Sequence, residues 1–275
     1  VTEGAYLQLA FFVASTLLMM MLNNTNSLIR IYSRMVSCSF VAMTCAATFL
    51  FSSLESCATG MCFILFYLSL LRSYQDKRAP GIAFYSFACL GIASLFFVQI
   101  LYFVPFLWIL MASNMMALTH RMFWATVLGL VMPYWFAVGY YVVTNQFDAF
   151  IDHFAELAQF EPLLKYEALD IHRIATFGLV VLLAVIGIIH YMRNSYQDKI
   201  RTRMIFEMFI TVDILSFVFI ILQPQHFDNL LPIIIVNTSC LFAHYVALTR
   251  TWLTNVTFIV MCLATLGLTI FNLMP

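Results

Sequence analysis

Twenty consecutive residues, Arg173–Met192, carry a single formal charge, and it stands at the first position. An apolar stretch of ~18 or more residues is long enough to cross hydrocarbon as a helix, whose backbone satisfies its own hydrogen bonds where water is absent. Comparable runs fill almost the whole chain and divide into ten: residues 4–22, 35–53, 55–71, 82–99, 102–118, 122–143, 173–192, 204–222, 230–248 and 255–273. With 63% hydrophobic and 9% charged residues in 275, a soluble domain would have no interior large enough to hide them. The predicted fold is all-α, a polytopic transmembrane bundle of about ten spans. Residues 35–71 and 82–118 read either as two crossings each, with tight turns near Ser52–Ser56 and Gln99–Pro105, or as re-entrant hairpins. Both alternatives return the chain to the same side.

Charge orients the bundle. With Val1 outside, the inside connections hold Arg30, Arg34, Arg72, Lys77, Arg78, Arg121, Arg193, Lys199, Arg201, Arg203 and Arg250, which is 11 of the 13 basic residues. Only Lys165 and Arg173 fall outside. Nine of the 13 acids lie outside: Glu3, Glu55, Asp148, Asp152, Glu156, Glu161, Glu167, Asp170 and Asp228. Basic connections stay cytoplasmic, so a bacterial inner membrane with both Val1 and Pro275 periplasmic is expected. The chain lacks an initiator methionine and a basic leader before its first apolar run, so it is expected to start downstream of the native beginning. Net charge is zero and no basic, aromatic-interleaved surface exists, which argues against nucleic acid as a partner. Seven scattered cysteines lack metal-site spacing and read as small buried hydrophobes; Cys57 and Cys62 could pair in an oxidising compartment.

The pentapeptide SYQDK occurs twice, at Ser73–Lys77 and Ser195–Lys199. Each copy follows a span ending in arginine and supplies an interfacial tyrosine and a cytoplasmic lysine, so the pair reads as matched markers of one membrane face. The one long connection is Thr144–His172, on the other face. There Phe147, Phe150, Ile151, Phe154, Leu157 and Ala158 recur at helical spacing, and Asp148, Asp152 and Glu156 form a second stripe. An amphipathic interfacial helix ending before Pro162, packed on neighbouring spans, is expected. The stripe, with Glu55 nearby, supplies the candidate catalytic carboxylates, and Asp152 with Glu156 the candidate ligands of a divalent metal; a solvated acidic face is the simpler alternative. No other cofactor is expected. Asp170, His172 and Arg173 are candidates for holding an anionic headgroup, or else ordinary interfacial anchors. The domain boundaries expected are 1–143 for an N-terminal bundle, 144–172 for the outer segment and 173–275 for a C-terminal bundle.

Ionisable residues at mid-bilayer cost ~2.5–3.5 kcal/mol on insertion scales and mark function. Asp213, ten residues from Arg203, lies ~15 Å in. Asn237 matches its depth in the next span, and His244 shares Asn237's face. The three are expected to form either a polar track with a proton site or an interhelical hydrogen bond that holds the bundle together.

Leu90–Phe136, with "LNNTNSLIRIYSR" and "LLRSYQDKRAPGIAF", resembles an uncharacterised family of polytopic inner-membrane proteins of Bacteroidetes-type bacteria. The specific element is Arg121 followed by Phe123, Trp124, Gly129, Pro133, Tyr134 and Trp135. More remotely, Ser27–Met111 is similar to the membrane half of C-type glycosyltransferases, through Ile29–Ser33, Phe66–Arg72, Gly81–Leu95 and Pro105. That resemblance implies a polyprenyl-linked or other amphipathic substrate at the outer leaflet. Nothing in these residues matches the acidic catalytic motif of those enzymes, so either that segment is expected upstream of Val1 or the scaffold is kept without the chemistry, and transfer by these residues alone is not expected. The readings are thus a lipid-substrate scaffold, a non-catalytic subunit partnering other envelope proteins, or a transporter or flippase using Asp213.

Overall fold

The computed structural model describes residues 2–159, 169–249 and 251–273. Val1, Glu161, Pro162, Lys165, Glu167, Arg250 and Pro275 fall outside the described residues, as does the side chain of Glu3. The described residues form eleven α-helices: α1 (Thr2–Asn26), α2 (Met35–Ala46), α3 (Leu54–Leu70), α4 (Pro80–Phe96), α5 (Val104–Ser113), α6 (His120–Val143), α7 (Phe147–Ala155), α8 (Ile171–Asn194), α9 (Ile200–Leu222), α10 (Phe227–Leu248) and α11 (Trp252–Leu273). Each of the ten apolar runs is a helix, and the eleventh, α7, is the amphipathic segment.

Seven helices are long and apolar enough to cross a membrane, and the chain is an all-α, multi-pass membrane protein. The other three apolar helices, α2, α4 and α5, are shorter because the chain bends at one end of each. Residues Thr48–Ser52 and Val98–Phe103 form 3-10 turns joining α2 to α3 and α4 to α5. Ser53 restarts the chain as α3, its Oγ accepting from the Ser56 amide at 3.3 Å, which satisfies one otherwise orphaned N–H.

Contacts sort the connections into two ends. At one, the Gln75 amide donates to Met115 O at 2.9 Å, Arg201 donates to Asn26 Oδ1 and Leu71 O at 3.0 Å each, and Asn114 donates to Glu207 at 3.1 Å. This basic end carries Arg30, Arg34, Arg72, Lys77, Arg78, Arg121, Arg193 and Lys199. At the acidic end, Ser56 donates to Asn229 at 2.9 Å. There too Asn272 donates to Ala46 O at 2.7 Å and to Thr176 Oγ1 at 2.9 Å.

Helix association in lipid lacks a hydrophobic drive and relies on close backbone approach and polar contacts. Two interior prolines sit in notches left by glycines of neighbouring helices. A Cβ on Gly91 would lie 3.0 Å from the Pro133 ring and 2.6 Å from Leu130 O, and one on Gly60 would lie 3.0 Å from Pro232. Gly129 returns the contact, a Cβ there meeting Phe84 O at 2.3 Å. The missing side chains let α6 lie directly on α4, and α10 on α3. At the centre, α10 is buried from Leu230 to His244 and packs on α2, α3, α8 and α9. All seven cysteines are free, Cys57 and Cys62 included.

Gly91→Ala and Gly129→Ala are each expected to cost the ~1–3 kcal/mol of stability typical of overpacking and so to lower the thermal midpoint in detergent. Gly139→Ala and Gly267→Ala, where a Cβ meets nothing within 4 Å, are expected to leave it unchanged. Equal midpoints for all four would refute the notch packing.

Candidate functional site

Of the residues proposed from sequence for the acidic end, Asp148, Asp152, Glu156 and Glu55 are exposed, whereas Asp170, His172 and Arg173 are bonded to other side chains. On α7 the apolar face packs as expected: Phe154 lies 5.1 Å from the Tyr134 ring and Phe150 5.9 Å from Tyr141. His153, about 100° around the helix from Asp152, turns inward so that its Nε2 meets Ser94 O at 3.0 Å. Tyr102 bonds the Leu157 carbonyl at the end of the segment. Asp148, Asp152 and Glu156 line the exposed side, and Glu55 is exposed in the first turn of α3. Among the described residues no three His, Cys, Asp or Glu side chains converge on a metal position.

Arg173 is held on several sides. Its guanidinium donates through Nε and Nη2 to both oxygens of Asp228 at 2.9 Å, and through Nη1 to Asp170 at 2.9 Å. The Phe49 ring lies 5.4 Å from its centre. A bidentate pair of this kind fixes geometry as well as charge, and here it joins the start of α8 to the start of α10. His172 Nδ1 meets Asn272 Oδ1 at 3.1 Å. These three residues bind α8, α10 and α11 to one another, so Arg173 is already committed to carboxylates.

The mid-bilayer residues divide into two groups. Asp213 is fully buried and accepts from Thr238 Oγ1 at 3.1 Å. Asn237 lies within interaction range of Asp213 and of the Tyr67 hydroxyl. Asp213 Oδ1, Tyr67 Oη and both polar atoms of the Asn237 side chain are nevertheless buried without an aligned hydrogen bond. Leaving such atoms unpaired is costly in a low-dielectric interior. His244 belongs to the second group, beyond the Asp213 cluster along α10.

That second group was not read from the sequence as a site. His244 is fully buried, boxed by Phe206 at 5.0 Å, Tyr191 at 5.8 Å and His190 at 5.6 Å between ring centroids. Its Nε2 lies 2.9 Å from Asp198 Oδ2. With the carboxylate ionised, the imidazole makes this bond only with its proton on Nε2. Asp198 has 0% of its side chain exposed, and its other oxygen lies 3.2 Å from Arg30 Nε. Arg30 also donates through Nη1 to Gln197 at 2.9 Å. One buried carboxylate thus joins the α1–α2 loop, the α8–α9 connection and the interior helix α10.

Asp198 is the fourth residue of the second SYQDK. Its counterpart Asp76 is exposed and merely accepts from the Arg78 amide at 2.8 Å. The two identical pentapeptides therefore have different roles. The identity marks a shared membrane end, as expected, but only one copy builds a network.

Arg30 opens onto a polar cavity of about 520 Å³, whose walls include Asn23, Ser27, Tyr32, Ser33, Gln197, Lys199 and Thr202. α1 ends here with the Leu28 amide bonded back to Asn23 O at 3.3 Å. Ser27, at the position where such caps favour glycine, takes φ of 49°. An L-residue held in that region stores ~1–3 kcal/mol of strain, a pattern found at ligand sites. Asn23 is buried, donates to Ser33 O at 2.8 Å and leaves its Oδ1 unpaired. Lys199 makes no ion pair among the described residues, so of the two wall cations Arg30 is balanced by Asp198 and Lys199 is not. The polar density of "LNNTNSLIR" at the end of a span was the available sequence signal.

Asp198→Ala would strand a buried imidazole and an arginine. A loss of roughly 2–3 kcal/mol is expected, below the full cost of breaking a buried pair because Arg30 keeps access to water. Asp76→Ala is expected to change stability by less than about 0.5 kcal/mol. Denaturation of both variants in one detergent checks the contrast, and comparable losses would refute it.

No family model, no curated protein and no solved structure matches the chain. The resemblances drawn from its residue patterns find no counterpart in these comparisons.

Proposed function

We propose that this membrane protein binds an anionic amphipathic ligand, a lipid phosphate, with the headgroup in the cavity at the basic end. The observation that carries the reading is that cavity itself: about 520 Å³, walled by Arg30 and Lys199. Its volume suits a headgroup-sized molecule. The surplus cation selects for negative charge, and the hydroxyl and amide groups of the walls supply hydrogen bonds to phosphate oxygens. This moves the lipid-substrate reading from the acidic end, where Arg173 is neutralised by Asp228 and Asp170, to the opposite end.

In the same reading α2, α4 and α5, with their 3-10 turns, complete ten crossings, and the basic end faces the cytoplasm of a bacterial inner membrane. Anionic lipid headgroups on that leaflet supply the ligand chemistry, and basic residues near the surface draw them in. An alkaline phosphatase reporter, active only in the periplasm, should be active when fused at Asp152 and silent at Lys77. Activity at Lys77 would invert the topology.

Binding is tested on the purified protein in detergent with dioctanoyl phosphatidic acid and neutral dioctanoylglycerol, followed by native mass spectrometry. Phosphatidic acid should bind and dioctanoylglycerol should not. Lys199→Ala should weaken binding about tenfold, the worth of one charge-assisted hydrogen bond. Equal binding of the neutral lipid, or an unaffected Lys199→Ala, would overturn the reading.

A second reading rests on the unpaired atoms of Tyr67, Asp213 and Asn237: proton movement through the bundle. An intramembrane carboxyl on a helix facing α10 is the usual place for a relay. In proteoliposomes with an imposed pH gradient, the protein would then speed dissipation, and Asp213→Asn would abolish the effect while Asp152→Ala would not. No dissipation by the wild-type protein would discard this second reading.

A further inference from the structure

A second cavity, of about 220 Å³, lies within the bundle between α2, α8, α10 and α11. It is lined mostly by apolar side chains, among them Met43, Leu183, Phe242 and Met261; of its two hydroxyl residues, Thr265 bonds back to Met261 O and Cys262 O at 3.0 Å. Ser39 also lines it, is buried, and has an Oγ without a hydrogen-bond partner. In hydrocarbon a hydroxyl usually bonds back to its own helix, as Thr44 does to Phe40 O at 2.8 Å. Ser39 instead leaves its Oγ unpaired beside an apolar groove.

The groove adjoins the headgroup cavity. Ser33 lines that cavity and Met35 the groove, so two residues of chain, at most ~7 Å, join their linings. Ser33 Oγ accepts from the Met35 amide at 3.1 Å, which holds the corner. Ser39 sits one helical turn past Met35, ~6 Å farther from the basic end. α11 leaves the groove open because its strong ties lie at its far end, where Asn272 bonds Ala46 and Thr176.

Resting on the headgroup reading above, we infer that this groove holds the acyl chain of a glycerophospholipid and that Ser39 donates to its ester carbonyl. The order of chemistry along α2 matches the order along such a lipid: charged phosphate, ester oxygen, then alkyl chain. A polyprenyl phosphate presents the charge and the chain but no carbonyl at that depth. The unpaired Ser39 hydroxyl therefore distinguishes the two classes.

Binding to the purified protein is measured by native mass spectrometry for four probes: dioctanoyl phosphatidic acid, its dialkyl ether analogue, farnesyl phosphate and glycerol 3-phosphate. The ester lipid should bind about fivefold more tightly than the ether analogue, the worth of one neutral hydrogen bond. Ser39→Ala should erase that preference while leaving glycerol 3-phosphate binding unchanged. Ala42→Phe, which fills the groove, should remove the gain from the chains and likewise spare glycerol 3-phosphate. In the wild-type protein, bound ester lipid should slow alkylation of Cys38 and Cys262, the groove's two exposed thiols, a readout independent of variant folding. An ester-to-ether ratio near one, preference for farnesyl phosphate, or unprotected thiols would overturn the assignment and leave the headgroup site standing. Failure of every phosphate probe to bind would overturn the headgroup reading and the groove assignment with it.

Discussion

The rest of the structure depends on the burial of α10. Every other long helix shows part of its surface to its surroundings, whereas α10 is enclosed from Leu230 to His244. In a bilayer this enclosure gains little from hydrophobicity, because lipid chains are as apolar as leucine. It is maintained by shape and by polar pairs. Gly60 admits Pro232 on one side, and on another a Cβ at Gly187 would meet Leu241 at 2.9 Å. Thr238 bonds Asp213 of α9, and His244 bonds Asp198 of the α8–α9 connection. Polar residues concentrate on and around this helix for a physical reason. It is the place in the bundle where an ionisable group avoids contact with lipid.

The two polar groups along α10 are arranged differently. Around Asp213 the side chains are enclosed and incompletely paired, so charge or hydrogen-bonding capacity is stored inside the bundle. Around Asp198 each carboxylate oxygen faces a partner, His244 at 2.9 Å from one and Arg30 at 3.2 Å from the other, while His244 Nδ1 stays unpaired. Asp198 therefore fixes where Arg30 stands in the cavity wall. It also fastens the α1–α2 loop to the interior, since Arg30, Ser27 and Ser33 belong to that loop.

Hydropathy made the helices legible. All ten apolar runs are helices, and the spacing of Phe147, Phe150 and Phe154 predicted the amphipathic one. Their lengths were less legible, because the 3-10 turns at Thr48–Ser52 and Val98–Phe103 continue the apolar composition while breaking the helix. Pairing was not legible. Arg173 read as a free anchor because Asp228 is 55 residues away along the chain. Asp198 and Asp76 are indistinguishable within SYQDK; what separates them is a histidine 46 residues farther along. Asp213 and His244 looked like members of one track because helical spacing gives face and depth but not partner.

The two ends of the bundle differ in how firmly they are closed. At the acidic end, Arg173 joins α8 to α10, Asn272 joins α11 to α2 and α8, and His153 holds α7 onto α4. These bonds run between different helices, so opening that end would break several at once. At the basic end Arg201 bonds Asn26 and Leu71, and Asn114 bonds Glu207, but the α1–α2 loop is fastened to the α8–α9 connection through Arg30, and beside it lies the larger cavity. A phospholipid held as proposed would meet charge first, then the Ser33–Met35 corner, and then the apolar groove between α2 and α11. Each step matches the polarity a phospholipid presents at the same depth, so little of the ligand need leave its native environment to bind. That continuity favours entry from the side, along the membrane plane, over passage through the bundle.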